Sequence, residues 1–212
     1  MTTTYLRILK FKNDDVLRDF HDNKYYKDHP ILQTENRISL SLYNDDMETA
    51  NPLGLHATGH KLDFFHYVIK NLPLKYNSVL TNCHLLQVYH SLDVKKYGFT
   101  HILQPFVDEI SRLEIDGMSI TVGGRNVNIK VTLGQVSGDN LGMHGLFGFV
   151  EGFAGYYPCR LCTIHKNQLQ TTFVEDEVLL RSKEMHNDHV ESAKVKVNGN
   201  NCLGVIGESP LN

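Results

Sequence analysis

Hydrophobic and polar positions change period several times along this chain, and each change marks an element. Ile38, Leu40 and Leu42 alternate with Ser39, Ser41 and Tyr43, the period of a half-buried strand, and the pattern ends at Asn44-Asp45-Asp46. Phe64 to Ile69 and Val79 to Tyr89 are apolar runs rich in aromatic and β-branched residues, so both are expected as strands. From Gly98 to Leu113 the period lengthens. Phe99, Ile102, Phe106, Ile110 and Leu113 recur at helical steps, one apolar face of a helix. Pro105 is expected near its first turn, because a proline deeper in removes a ladder hydrogen bond. Met118, Ile120 and Val122 then alternate up to Gly123-Gly124, and Val127, Ile129, Val131 and Leu133 alternate after it. That is a β-hairpin whose second strand runs toward Asp139.

The remaining segments are read more coarsely. Residues 13–22 have the acidic start of a short helix, and His29-Pro30 and Asn51-Pro52-Leu53-Gly54 are loop and turn. Gly145, Gly148, Gly152 and Gly155 recur at helical spacing, which predicts a helix packed closely through a glycine face. From Gln168 the chain turns polar, and its end, with Gly204, Gly207 and Pro210, reads as loop. Three strands, a helix, a hairpin strand and a helix make an α/β chain with a mixed sheet. The first strand and the later one both deliver an acid to the same edge, which is the plan of an RNase H-like nuclease core.

Composition narrows the classes. A chain of 212 residues with 41% hydrophobic and 21% charged residues can bury the core of one domain, or one and a part. Net charge is −3, which argues against a basic footprint over the whole domain while leaving room for a local one. Lys95-Lys96 and Lys194/Lys196 are too short to be a nucleic-acid patch. The most apolar window, Leu141 to Tyr157, contains His144 and Glu151, so no membrane span is expected. Met1 to Lys12 lacks the apolar region of a secretory signal. Of the four cysteines, Cys83, Cys159, Cys162 and Cys202, only two are close in sequence. A disulfide framework is therefore not expected, and an intracellular setting fits better.

The candidate chemistry is carboxylate and thiol. Asp45, Asp46 and Glu48 cluster at the expected strand end, where Asp is also an ordinary turn residue. Asp139 is equally well placed to cap the helix that follows. Together, strand-end acids can hold divalent cations for phosphodiester chemistry, which needs hard oxygen ligands on rigid elements. Cys159-Arg160-Leu161-Cys162 is half of a tetrahedral zinc site, or else two ordinary thiols near a turn. His165, His186, His189 and Cys202 are the ligands within this chain that can complete it, and His186 and His189 have finger-like spacing. His56 and His60 flank Asp63 without forming a recognisable triad. Gly123-Gly124-Arg125 is a hairpin turn and not a phosphate loop.

These residues carry a family resemblance. The run Leu42 to Gly54 (LYNDDMETANPLG), His60-Lys61-Leu62, Asn71-Leu72-Pro73 and Ile102 to Glu109 resemble the transposase domain of CACTA (En/Spm)-type DNA transposons. So do Gly138-Asp139-Asn140-Leu141-Gly142, Gly148-Phe149-Val150-Glu151 and Cys159-Arg160-Leu161-Cys162. The likeness extends over residues 15–190 in the same order.

It implies an RNase H-like fold with a D-D-E triad, Mg²⁺ or Mn²⁺ at Asp45 (or its neighbour Asp46) and Asp139, DNA ends as partner, and a nuclear location. An oligomer is compatible with it. Cys159 and Cys162 resemble the first half of the zinc insertion that follows the second acid in such enzymes. On this reading residues 1–36 are an N-terminal helix and loop, 37–157 an incomplete core, and 158–212 the start of the insertion and a polar tail. No acid in this chain matches the third catalytic residue, so a C-terminally truncated transposase, inactive alone, is one expectation. The other is a transposon-derived remnant that binds DNA or protein without cleaving.

Overall fold

The computed structural model describes residues 19–48, 61–77, 79–152, 155–195 and 202–211. By contacts the chain forms two units, Met1–Lys96 with Gln104–Gly138, and Tyr97–Leu103 with Asp139–Asn212.

The first unit is built around strand β1, Arg37–Glu48. Ser39, Leu40, Ser41 and Leu42 are all buried, so both faces of this strand are covered, as expected for the centre of a sheet. On one side it pairs antiparallel with β2 (Lys61–Ile69), which pairs antiparallel with β3 (His84–His90). On the other side it pairs parallel with β5 (Arg125–Gly138), whose hairpin partner is β4 (Met118–Val122). Among the described residues the result is a mixed five-stranded sheet in the order β3-β2-β1-β5-β4. The β4–β5 turn has positive φ at both Gly123 and Gly124, the geometry whose twist matches flanking strands.

Two details fix the β1–β5 register. A bulge lies between Leu40 and Ser41, and β5 slips past it at Gly134. A Cβ there would meet the Ser39 hydroxyl and come within 2.9 Å of the Phe20 ring, so only glycine fits. The Asn71 side chain accepts from the Ser39 amide (2.7 Å) and donates to Arg37 O (3.1 Å), pinning the start of β1 to the end of β2.

The short helix α1 (Lys24–Asp28) belongs to the first unit, and the long α2 (Ser91–Ile115) belongs to it except for Tyr97–Leu103, which fall in the second. Phe106 and Ile110 of α2 are buried, as the sequence period requires. The hairpin, the parallel strand and the helical period of α2 therefore match expectation.

Several boundaries do not. Residues 13–18 lie outside the described residues, and the described end of that segment is one 3₁₀ turn, Phe20–Asp22, boxed by Asp19. Asn51-Pro52-Leu53-Gly54, His56 and His60 are also outside them. Val79–Tyr89 is a strand only from His84; Leu80–Asn82 is a 3₁₀ turn with Leu80 84% exposed, so its apolar residue has no sheet to bury against. β1 does not stop at Asp45 but continues to Glu48, because β2 pairs with it through Glu48↔Lys61. Within α2, Gly98 (φ 77°, ψ 160°) breaks the helix, and Pro105 sits beyond the first turn of the piece after it. Pro105 and His101 are both exposed, so the carbonyl deprived of an amide partner is not confined to the core.

The second unit departs most from its sequence pattern. The glycine-faced helix is only α3, Asn140–Leu146. Gly148 (φ 71°) and Gly152 (φ 97°) take the left-handed conformation that ends helices instead of packing them. The polar tail contains a helix, α4 (Lys183–Val195), whose Val190 packs with Phe149 and Val205 in a small core. Val205 comes from the segment read as loop, held there by Val150 N–H to Gly204 O and Ile206 N–H to Gly148 O, both 2.8 Å.

Candidate functional site

In the first unit, Asp45 sits where β1 leaves its parallel partner. The β1–β5 ladder ends at Asn44↔Gly138, and the next residues are Asp45 and Asp139. Asn44 is buried and donates to the Tyr89 hydroxyl (3.0 Å) and to Phe64 O (3.3 Å), tying β1, β2 and β3 together behind Asp45. Asp45 is exposed; its carboxylate accepts from the Tyr43 hydroxyl (3.3 Å) and the Asp46 amide (2.9 Å).

Asp46 points to the other face and pairs with Lys61 Nζ at 2.5 Å. Directly opposite it in the ladder is Asp63. Like charges facing across strands repel, and Lys61 offsets them. Asp63 is in turn held by the Ser91 hydroxyl at the start of α2. The neighbouring Tyr89 hydroxyl is pushed far above its ordinary value by burial and then by Asp63. Sequence pattern did not single out Asn44, Asp63, Ser91 and Tyr89; the side-chain alternation of β1, with Asn44 and Asp46 on one face and Asp45 on the other, was the available signal.

Asp139 belongs to the second unit and caps α3, its Oδ1 accepting from the Gly142 amide at 2.6 Å. It is exposed, and its second carboxylate oxygen takes no part in the cap.

The thiols lie in the same unit. The loop Cys159–Thr163 is zipped to residues 179–181 by the Cys162↔Leu180 bridge, with Thr163 N–H to Leu179 O at 2.8 Å and Arg181 N–H to Leu161 O at 3.0 Å. This zip delivers Arg181 to the cysteines. Its guanidinium donates to the carbonyls of Cys159 (3.3 Å) and Leu203, approaches His189 Nδ1 (3.4 Å) and lies 5.1 Å over the Phe149 ring. Burial lowers the Arg181 pKa, and the nearby Cys159, Cys162 and Cys202 oppose that shift. His186 and His189 are lowered by burial and then by Arg181. The Cys162 thiol is pushed up, first by burial.

Cys159, Cys162, Cys202, His186 and His189 thus share one arginine as neighbour, while His165 instead stacks on Tyr156 (5.7 Å). Among the described residues, however, no three His, Cys, Asp or Glu side chains are grouped to hold a metal ion. Burial of Cys162 opposes the thiolate form that zinc requires, while the Arg181 charge favours it. Arg181 was invisible in the sequence, a single arginine in a polar stretch.

No helix among the described residues is long and apolar enough to cross a membrane. No protein-family model matches the chain, and no curated protein matches it.

Proposed function

We propose that this chain is part of the catalytic domain of a CACTA-type DNA transposase with an RNase H-like core, and that Asp45 and Asp139 are ligands for a divalent cation in cleavage of a DNA end. The observation that carries the proposal is the parallel register of β1 and β5, which ends at Asn44↔Gly138, with Asp45 next on β1 and Asp139 the first residue after β5. The mixed sheet with β1 at its centre, and the ordered motifs from Leu42 to Cys162, support it further.

The donors suit a hard cation. Asp45 is exposed and free of the Lys61 pairing that occupies Asp46, so Asp45 is the first acid of the pair. Asp139 keeps one carboxylate oxygen outside its capping role. Mg²⁺ bound there would polarise a phosphate and acidify the attacking water. Asn44 and Tyr43 hold Asp45 in place, and the α3 cap holds Asp139.

A second reading, DNA binding without cleavage, is favoured by one observation: no third acid joins a metal-holding group among the described residues. DNA-binding anisotropy with and without Mg²⁺ separates the two. The first reading expects Mg²⁺ to strengthen binding of a short duplex by the intact chain and not by Asp45→Asn. Binding that is Mg²⁺-independent and unchanged in Asp45→Asn and Asp139→Asn rejects it in favour of the second, and absence of DNA binding rejects both.

A further inference from the structure

The second unit contains an open cavity of about 510 Å³, within the range of small-ligand sites. Arg160, Arg181 and Lys183 line it, with Phe147, Phe149 and His186, and none of its described lining residues is acidic. That charge is not neutralised from within. Arg160 spends its bond on the neutral Asn140 side chain, and Arg181 spends its own on backbone carbonyls. Neither arginine has an ion-pair partner among the described residues, and the buried Arg181 Nε has no hydrogen-bond partner at all. Cationic groups brought together without counter-charge favour an anion, and the guanidinium fork suits the oxygens of a phosphate. The thirteen-residue helix α4 begins at the cavity with Lys183, adding the positive end of its dipole.

The apolar side is equally specific. Phe149 carries the Arg181 guanidinium on its face and the His186 ring at 5.3 Å, tilted 36°. Phe147 and Leu161 extend this wall. A planar apolar group can stack here while its anionic group faces the arginines. We propose that this cavity binds a nucleoside 5′-monophosphate unit, the phosphate held by Arg160, Arg181 and Lys183 and the base packed against Phe147, Leu161 and His186. The proposal stands on the second unit alone and does not depend on cation binding at Asp45 and Asp139.

The same nucleotide chemistry is offered by a free nucleotide and by the 5′-phosphorylated end of a DNA strand. Calorimetric titration of the full chain separates them, using deoxyadenosine 5′-monophosphate, a 5′-phosphorylated thymidine tetranucleotide, its 5′-hydroxyl form, deoxyadenosine and inorganic phosphate. Arg181 also braces the loop, so the test variant is Arg160→Gln with Lys183→Gln, and its urea unfolding is checked against the parent. At least one phosphorylated ligand should bind about tenfold more tightly than either deoxyadenosine or phosphate, and lose about tenfold in the variant and at raised salt. Preference for the tetranucleotide over the mononucleotide identifies a strand end, and equal or reversed preference identifies a free nucleotide. If neither phosphorylated ligand exceeds inorganic phosphate, or the folded variant binds as the parent does, the proposal is overturned.

Discussion

Gly148→Ala measures how tightly the turn after α3 is held. Inside a helix, alanine at this position would gain roughly 1 kcal/mol of propensity before any packing cost. The structure requires the opposite. Gly148 has φ 71°, where an alanine costs about 1–2 kcal/mol. Its Cβ would press on the Gly207 carbonyl, whose carbon would lie 2.8 Å away. Neither partner is a flexible side chain, so the backbone must part, endangering the Ile206 N–H bond to Gly148 O (2.8 Å) and the longer one from Gly207 (3.3 Å). At about 1 kcal/mol for each bond lost, the total is about 3–4 kcal/mol.

Gly152→Ala is the internal control. It is also left-handed (φ 97°), but nothing lies within 4 Å of its Cβ, so it keeps only the conformational term, about 1–2 kcal/mol. Urea unfolding followed by circular dichroism gives the totals. Because two units need not unfold together, hydrogen exchange at Ile206 and Gly207 against that in β1 assigns the loss to the second unit. A Gly148→Ala protein as stable as its parent, or more so, refutes the reasoning, as does a Gly152→Ala loss of equal size.

Two further effects follow from buried groups. Asn44→Ala removes the bonds to Tyr89 and Phe64 inside the sheet and should cost about 2 kcal/mol in urea unfolding; a loss under about 0.5 kcal/mol means the buried bridge contributes nothing. His144, His186 and His189 all sit below the ordinary histidine value of 6.5, chiefly through burial, so the unfolded chain takes up protons first as pH falls. Stability of the second unit should therefore decline from about pH 6.5 downward, and an exchange protection of α4 that is equal or greater at about pH 5.5 than at 7.5 contradicts this.

What the sequence disclosed depended on whether local pattern and tertiary burial agreed. β1, β2, β4 and β5 were legible because alternation and β-branched residues coincide with real cross-strand partners. Leu80 was misread because an apolar residue with nothing to pack against has the same local signal as a strand residue. The glycines at 145, 148 and 152 share helical spacing, but only φ reveals that two of them terminate structure. α4 was hidden because a single buried residue, Val190, anchors a polar helix, and Val205 looked like loop although it is fully buried. At the candidate site, Asp45 and Asp139 could be proposed from strand ends alone. Choosing Asp45 over Asp46 required the cross-strand Lys61, which no spacing in the sequence indicates.

The central proposal is that Asp45 and Asp139 are ligands for a divalent cation, and a Mn²⁺ titration by water proton relaxation tests it most directly. The variants are Asp45→Asn and Asp139→Asn. Asparagine keeps the α3 cap and the oxygen facing Tyr43 while removing each charge, so the fold is retained. The account expects Mn²⁺ binding by the parent, weakened about tenfold or more in each single variant. No Mn²⁺ binding by the parent, or affinity unchanged in either single variant, would contradict it.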